Sequence, residues 1–350
     1  MIKDKYILGF MNYCSHDPAA CITKVNLENG NIEYIFAEEG FLSRKKKSYQ
    51  FPLRSIKYCL DYFGIQLKEI NRICLDYMDY KRFNRTSDNY RLLVGDFIRA
   101  NLKISKTTKI SFCKSHHLAH AYTAFLPSPF EEAAVVVIDG LGSRQETHSI
   151  FKANKNGIDL IAKQCGNGIG ELYSLITEKL GFESGEEGKT MGLAPYGENH
   201  ADQDQYIPSL KSYKKGHICD YSHILLRNPS PKLKINIENP KKKNDIYKPY
   251  YSRVAFNLQK ECEDSVKYIV NKAVELTECK NICFAGGVAL NCVANELISK
   301  NLNHNLFVQP ASGDTGIPIG LALYGAHLEL GNLSKLNLKG KYSISENKKY

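Results

Sequence analysis

The residues with the most chemistry to offer are three histidines in one short stretch, KSHHLAHAYTAF, residues 114–125. The stretch otherwise reads as an apolar helix. Helical geometry brings positions i and i+4 to one face, so His116 and His120 can point the same way while His117 points elsewhere. Two imidazoles on one face can share a metal ion. Histidines on apolar helices also serve as ordinary hydrogen-bonded residues, and the helix by itself leaves both readings open. Carboxylates able to complete a ligand shell would decide between them.

Three glycine-rich segments offer binding chemistry. AGGVALNCVAN, Ala285 to Asn295, follows the apolar run ICF and opens a helix. A glycine pair at such a turn lets the backbone approach a ligand, and the amides of the new helix attract an anion. The same pair also serves tight turns in ligand-free proteins. SGDTGIPIGLALYGAHLELG has the same grammar, with Gly313, Asp314, Thr315 and Gly316 ahead of a helix whose apolar face is Ile317, Leu321 and Tyr324. Asp314 either caps that helix or turns its carboxylate toward a cleft. ESGEEGKTMGLAPYGE gathers Gly185, Gly188, Gly192 and Gly197 around Lys189 and Thr190. It lacks the spacing of a P-loop and reads as a flexible hairpin or as a site offering one ammonium and several amides.

The elements that must position these residues follow a repeated order. KYILGFMNY, AACITKV and IEYIFAEE read as three strands joined by short polar turns, an antiparallel meander. SIKYCLDYFGI is an amphipathic helix, RICLDY a short buried strand and RLLVGDFIRANL a second helix. The order partly reappears from EAAVVVIDGLGS, where a run of apolar β-formers ends in Asp139, Gly140 and Gly142. Strand-turn-strand follows in THSIFKANKNGIDLIAKQC, then the helix ELYSLITEKLGF, a helix from about 253 to 278 and the buried strand NICFAGG. Two α/β halves of similar order predict a duplicated fold with a cleft between two lobes, the plan of actin-like phosphotransferases. The expected lobes are residues 1–130 and 131–332, with a polar tail over 333–350. Residues from about 198 to 250, rich in Lys, Asn, Pro and Ser, read as a surface loop or small cap that buries little of itself.

Composition excludes several classes. A chain of 350 residues, 43% hydrophobic, can form one large or two medium globular domains with a sizeable core. No run approaches the roughly 18 apolar residues that span a bilayer, and MIKDKYILGF enters a strand-like segment instead of a signal sequence, so the cytoplasm is the expected location. Eleven cysteines without a C-x-x-C pair fit reduced, buried thiols better than disulfides or a zinc knuckle. The net charge of +10 resides largely in RKKK at 44–47, KKKND at 241–245 and the tail ENKKY. Such runs are solvated loops more often than nucleic-acid grooves, and a phosphorylated ligand accounts for local positive charge equally well.

HHLAHA, VIDGLG, GKTMGLAPYG, AGGVALNCVAN and QPASGDTGIPIGLALY occur in the order and approximate spacing of the antibiotic and nodulation-factor O-carbamoyltransferases, which the chain resembles from about Ile7 to Leu330. The resemblance implies a ribonuclease H-like, actin-like domain akin to the tRNA threonylcarbamoyl-transfer subunit. It implies a metal, usually iron(II) or another divalent ion, on His116, His120, Asp139 and Asp314. Two imidazoles and two oxygen ligands suit iron(II), manganese or zinc and leave positions open for substrate. It further implies that ATP and carbamoyl phosphate give a carbamoyl-adenylate whose carbamoyl group passes to an acceptor hydroxyl. Lys189, Thr190, Gly192, Gly286, Gly287, Asn291 and Gly313 are the matching candidates for nucleotide and phosphate contacts.

SHDPAA resembles the family's first turn, making His16 the candidate base or carbonyl donor. Lys46 corresponds to the family lysine after the meander, although EEGFLSRKKK is one residue longer and leaves the register open among Lys45, Lys46 and Lys47. Family members continue into an adenylate-forming domain that has no counterpart in this sequence. Either that domain is a separate protein, or it was cut away, or the activity is lost, and transfer is expected to need a separate adenylate-forming partner. Two other readings stay open, a threonylcarbamoyl-transfer subunit acting on tRNA and a nucleotide-binding scaffold without turnover. The acceptor could be a sugar, polyketide, oligosaccharide or nucleotide hydroxyl.

Overall fold

The computed structural model describes residues 3–11, 17–45, 50–76, 95–200, 207–227, 231–301, 304–333 and 339–342. The chain forms two compact units, one of Met1–Ala133, Ala153–Asp159 and Gln309–Tyr350, the other of Ala134–Lys152 and Leu160–Val308.

In the first unit β1 (Asp4–Phe10), β2 (Ala19–Asn26) and β3 (Ile32–Glu38) form the expected antiparallel meander. Asn26 builds the turn between β2 and β3 by accepting the amides of Glu28 and Asn29 on its side chain. α1 (Glu39–Ser43) and α2 (Leu53–Phe63) follow, tied together by the buried Glu39 carboxylate, which accepts from both the amide and the hydroxyl of Ser55 at 2.8 Å. β4 (Arg72–Leu75) then pairs parallel with β1, and β5 (Lys109–Phe112) parallel with β4. α3 (His116–Phe125) comes next. The sheet order of these strands is 3-2-1-4-5.

The second unit opens with β6 (Ala133–Ile138), β7 (Glu146–Asn154) and β8 (Gly157–Cys165), followed by α4 (Ile169–Lys179) and α5 (Glu187–Leu193). Two small ribbons, β9 (Tyr213–Lys215) with β10 (Ile218–Asp220) and β11 (Leu225–Leu226) with β12 (Lys232–Leu233), precede the long α6 (Pro249–Thr277). β13 (Asn281–Ala285), α7 (Cys292–Asn301) and β14 (Asn305–Val308) complete it. Its sheet runs β8-β7-β6-β13-β14, which is again third, second, first, fourth, fifth when its five strands are counted along the chain. β6 pairs parallel with β13, and β13 with β14, as β1 does with β4 and β4 with β5. Both units repeat one strand order, and the fold is the duplicated actin-like α/β fold that the alternating pattern predicts.

The chain returns to the first unit after Val308. α8 (Ile317–Leu330) is apolar on every side, so it needs cover all round. It packs on α3 and on β1, β2 and β4. Residues 309–332, expected with the second lobe, therefore cluster with the first unit. Close approach depends on glycine. A Cβ on Gly9 would lie 2.4 Å from the Pro318 carbonyl oxygen, and one on Gly320 would lie 1.9 Å from the Ala119 carbonyl oxygen. At its C-terminal end, α8 is pinned by Glu329, which accepts Arg72 Nε at 2.9 Å and Nη2 at 2.7 Å. β15 (Lys339–Tyr342) adds a parallel edge strand beside β3.

The polar segment near 198–250 buries more than its composition suggests. Leu210, Cys219, Tyr221, Ile224, Leu225 and Ile237 join the core of the second unit. Its anchor is Glu261 on α6, whose Oε1 accepts the Tyr221 hydroxyl at 2.8 Å and the Ser212 amide at 3.0 Å. Scattered apolar residues without a period carry no amphipathic signal, yet each finds a place when a buried carboxylate gathers the segment's donors. Among the described residues, no helix is long and apolar enough to cross a membrane.

His148 on β7 gives this unit a pH response. Its ring is buried, its Nε2 has no hydrogen-bond partner among the described residues, and His217 lies beside it with ring centroids 5.8 Å apart. Burial, reinforced by repulsion from His217, pushes its pKa down from 6.5 to about 3. In the unfolded chain the ring takes a proton below about pH 6.5, whereas in the folded chain it does not. Stability is therefore fully present above that pH and falls as the pH drops toward 3. Between pH 6.5 and 4.5 the loss should approach about 2 to 3 kcal/mol in urea titrations. A His148→Leu chain should show a flatter pH dependence over the same range, and an unchanged slope would refute the assignment.

Candidate metal centre

α3 begins at Ser115, whose side-chain oxygen accepts the Leu118 amide at 3.1 Å. This cap fixes the first turn and with it His116. One turn later His120 stands on the same buried face, with ring centroids 4.7 Å apart and Nε2 atoms 3.2 Å apart. Asp314 opens the short helical turn Asp314–Gly316 just ahead of α8. Its Oδ1 lies 3.3 Å from His116 Nε2 and 3.4 Å from His120 Nε2. Within the first unit, then, the structure gathers three of the four expected ligands.

Two imidazole nitrogens and a carboxylate oxygen converge here, and all three can present lone pairs to the same point. A single proton can bridge only two of them. A divalent cation satisfies all three at once, which is the donor chemistry of an N,O metal site. His116 and His120 are almost fully buried, while Asp314 keeps a quarter of its side chain open. His117 is fully buried, and its ring centroid is 6.1 Å from that of His116 and 6.5 Å from that of His120, outside the convergent group.

Asp139 ends β6 in the second unit. Its Oδ1 accepts the amides of Gly140 at 2.8 Å and Gly287 at 3.2 Å. The glycines around it are there for space. Gly286 sits at φ 89°, and a Cβ on it would meet the Ile138 carbonyl oxygen at 2.3 Å; one on Gly170 would meet the Asp139 carbonyl oxygen at 2.5 Å. Gly286 and Gly287 thus bring the turn after β13 against the end of β6, and the Gly287 amide holds Asp139.

The remaining candidates are placed as follows. Asn291 caps α7, its Oδ1 accepting the Ala294 amide at 3.1 Å while its Nδ2 donates to Gln259 Oε1 at 2.9 Å. GKTMGL, read as a loop, is the helix α5. Thr190 is buried there with its hydroxyl 2.8 Å from that of Thr177, Lys189 is exposed and paired with Glu186, and Gly192 faces open space. Gly313 is buried immediately before Asp314. His16 and Lys46 lie outside the described residues.

One residue beside the candidate ligands carries no motif that marks it in the sequence. Asp76 follows β4, and its Oδ2 lies 2.7 Å from His116 Nδ1. The available signal was an acidic residue at the carboxyl end of a parallel, apolar strand, the same position that Asp139 takes after β6.

Residues 92–323 match the family described as "Carbamoyltransferase N-terminus". The chain is 32% identical to the "Uncharacterized protein sll1178" of Synechocystis sp. over 93% of this chain and 58% of that protein. It is 31% identical to the "Nodulation protein NolNO" of Sinorhizobium fredii over 90% of this chain and 47% of that protein. Among solved structures, HypF from T. kodakarensis is 13% identical with a TM-score of 0.47, covering 96% of this chain and 50% of that one. The chain spans about half the length of the curated relatives it matches. With two thirds of its residues inside the family match, this chain belongs to the carbamoyltransferase family.

Proposed function

We propose that the chain carries the transfer centre of an O-carbamoyltransferase, passing the carbamoyl group of carbamoyl-adenylate to a hydroxyl of a small-molecule or glycan acceptor. The observation that carries this reading is the convergence of His116 Nε2, His120 Nε2 and Asp314 Oδ1, each 3.2 to 3.4 Å from the others, in a chain of the carbamoyltransferase family. Asp139 is the fourth ligand in this reading. Iron(II) or another divalent ion held there would supply Lewis-acid polarisation of an oxygen of the carbamoyl donor.

The protein's own residues have the other tasks. Burial of His116 and His120 keeps water from competing with the donor oxygen. In the transfer, the acceptor oxygen bonds to the carbamoyl carbon, the bond from that carbon to the adenylate oxygen breaks, and AMP leaves with the electron pair. The hydroxyl proton passes to a base, for which His16 is the candidate, and Lys46 is the candidate cation for the carbonyl oxygen. Lys189, Gly192 and Gly313 are the candidates facing the nucleotide. Gly286, Gly287, Asn291 and Thr190 act in this reading by shaping the neighbouring backbone. Formation of the adenylate from ATP and carbamoyl phosphate is assigned to protein outside these residues.

The test supplies the metal-reconstituted chain with carbamoyl-adenylate made in trans and labelled in the carbamoyl carbon, together with sugar, oligosaccharide and nucleoside alcohols. Faster AMP release than with the His120→Ala chain, with label on an acceptor hydroxyl, is the expected result. Equal AMP release by the two chains would overturn the reading. In a parallel reaction with labelled threonylcarbamoyl-adenylate and tRNA, label in tRNA would reassign the chain to threonylcarbamoyl-type transfer.

A further inference from the structure

The environment of His116 extends beyond the atoms that face the proposed metal. Asp76 Oδ2 lies 2.7 Å from His116 Nδ1, with side-chain exposures of 3% for the histidine and 1% for the aspartate. Water cannot mediate or loosen a contact buried to that degree. Both partners also stand on fixed backbone. Leu75, immediately before Asp76, pairs with Phe112 in the parallel β4–β5 ladder, and its carbonyl accepts the Cys113 amide at 2.8 Å. His116 is held by the Ser115 cap described above.

An imidazole has two neutral tautomers, and the contact discriminates between them. With the proton on Nδ1, N–H donates to an ionised carboxylate at a short charge-assisted distance, and Nε2 presents its lone pair toward His120 and Asp314. With the proton on Nε2, two acceptors would face each other at 2.7 Å inside the protein, and N–H would point at the very position where a cation would sit. The second arrangement loses the short Asp76 contact with or without an ion, and with a cation present it loses the ligand position as well. Asp76 has a further reason to favour a positive charge beyond the histidine. It is 3% exposed, and its Oδ1 has no hydrogen-bond partner among the described residues, so its desolvation is met through His116.

We propose that Asp76 is a positioning residue that holds His116 in the Nδ1–H tautomer, so that Nε2 is a preformed ligand for the divalent metal of the proposed centre. The proposal rests on the metal reading for its purpose, but its tautomer claim holds for the chain without metal. Asp76 lies before the residues matched by the family, so the match assigns it nothing. Partners of this kind fix ring orientation and raise ligand basicity, and their loss typically weakens metal binding about 10- to 100-fold.

The experiment compares wild type, Asp76→Asn and Asp76→Ala as full-length, metal-free chains labelled with nitrogen-15. Long-range proton–nitrogen spectra read the His116 tautomer, and zinc titration against a competing chelator reads affinity. Wild type should show Nδ1–H. Asp76→Ala should show mixed tautomers and zinc affinity lowered about 10- to 100-fold. Asp76→Asn keeps the volume and one acceptor oxygen, so it should fold like wild type and fall between the two, which a merely structural role would not produce. An unchanged tautomer together with affinity within twofold of wild type in both variants would overturn the proposal. If wild type binds no divalent metal while its tautomer still depends on Asp76, the metal centre falls and the positioning role stands.

Discussion

On the proposed metal reading, replacing His120 with alanine should strip the purified chain of the divalent metal it binds. His120 is fully buried, and its Nε2 contributes one of the three ligand atoms that converge among the described residues of the first unit. The Nε2 of His116 and the Oδ1 of Asp314 would remain, still 3.3 Å apart, but the ion would lose a buried imidazole donor whose place only water could take. The loss should exceed the roughly 10- to 100-fold typical of outer-shell partners. Elemental analysis after a chelator wash checks it, and stoichiometric metal in the His120→Ala chain would remove the ligand assignment. His117→Ala makes the comparison sharp. That ring is equally buried three positions earlier on the same helix but stands outside the convergent atoms, so its loss should cost stability while metal content persists.

The second large effect is expected from one added methyl group. Gly320→Ala would place a Cβ 1.9 Å from the Ala119 carbonyl oxygen and 2.4 Å from the Thr123 hydroxyl oxygen. The nearest obstacle is helix backbone, which cannot rotate aside as a side chain can. Either α8 or α3 must shift, at a cost of about 3 kcal/mol or more. Ala119 lies between His116 and His120 on α3, and Asp314 lies just before α8, so the shift also separates the three convergent donor atoms of the proposed centre. Urea midpoint and zinc affinity should fall together. A chain that kept both at wild-type values would show that the helices do not meet as described. Gly188→Ala on α5, whose added Cβ meets nothing within 4 Å, should by contrast gain up to about 1 kcal/mol.

The parts of this protein legible in its sequence are those governed by short-range periodicity. Alternation and polar turns announced β1 to β3, and the apolar run ending in Asp139 announced β6. The i, i+4 spacing placed His116 and His120 on one face before any coordinate did. Residues whose placement depends on distant partners were not legible. GKTMGL looked like a loop because glycine disfavours helix, but burial of Thr190 against Thr177 overrides that preference. The segment anchored on Glu261 looked like a surface loop because its apolar residues follow no period. Asp76 was hidden for a related reason. An aspartate beside a strand carries no sign of the histidine, 40 residues later, that its carboxylate will meet.

The return of the chain to its first unit bears on the order of events during synthesis. Residues of the second unit are nearly contiguous, whereas the first unit lacks α8 until residues beyond Gln309 have been made. Domains generally close as their residues emerge. The second unit can therefore close while the first still exposes the faces of β1 and α3 that α8 will cover. His116 and His120 are translated almost two hundred residues before Asp314, and through that interval they form an incomplete binding pair. On the proposed metal reading, capture becomes a late step, postponed until the helix that closes the first unit has arrived.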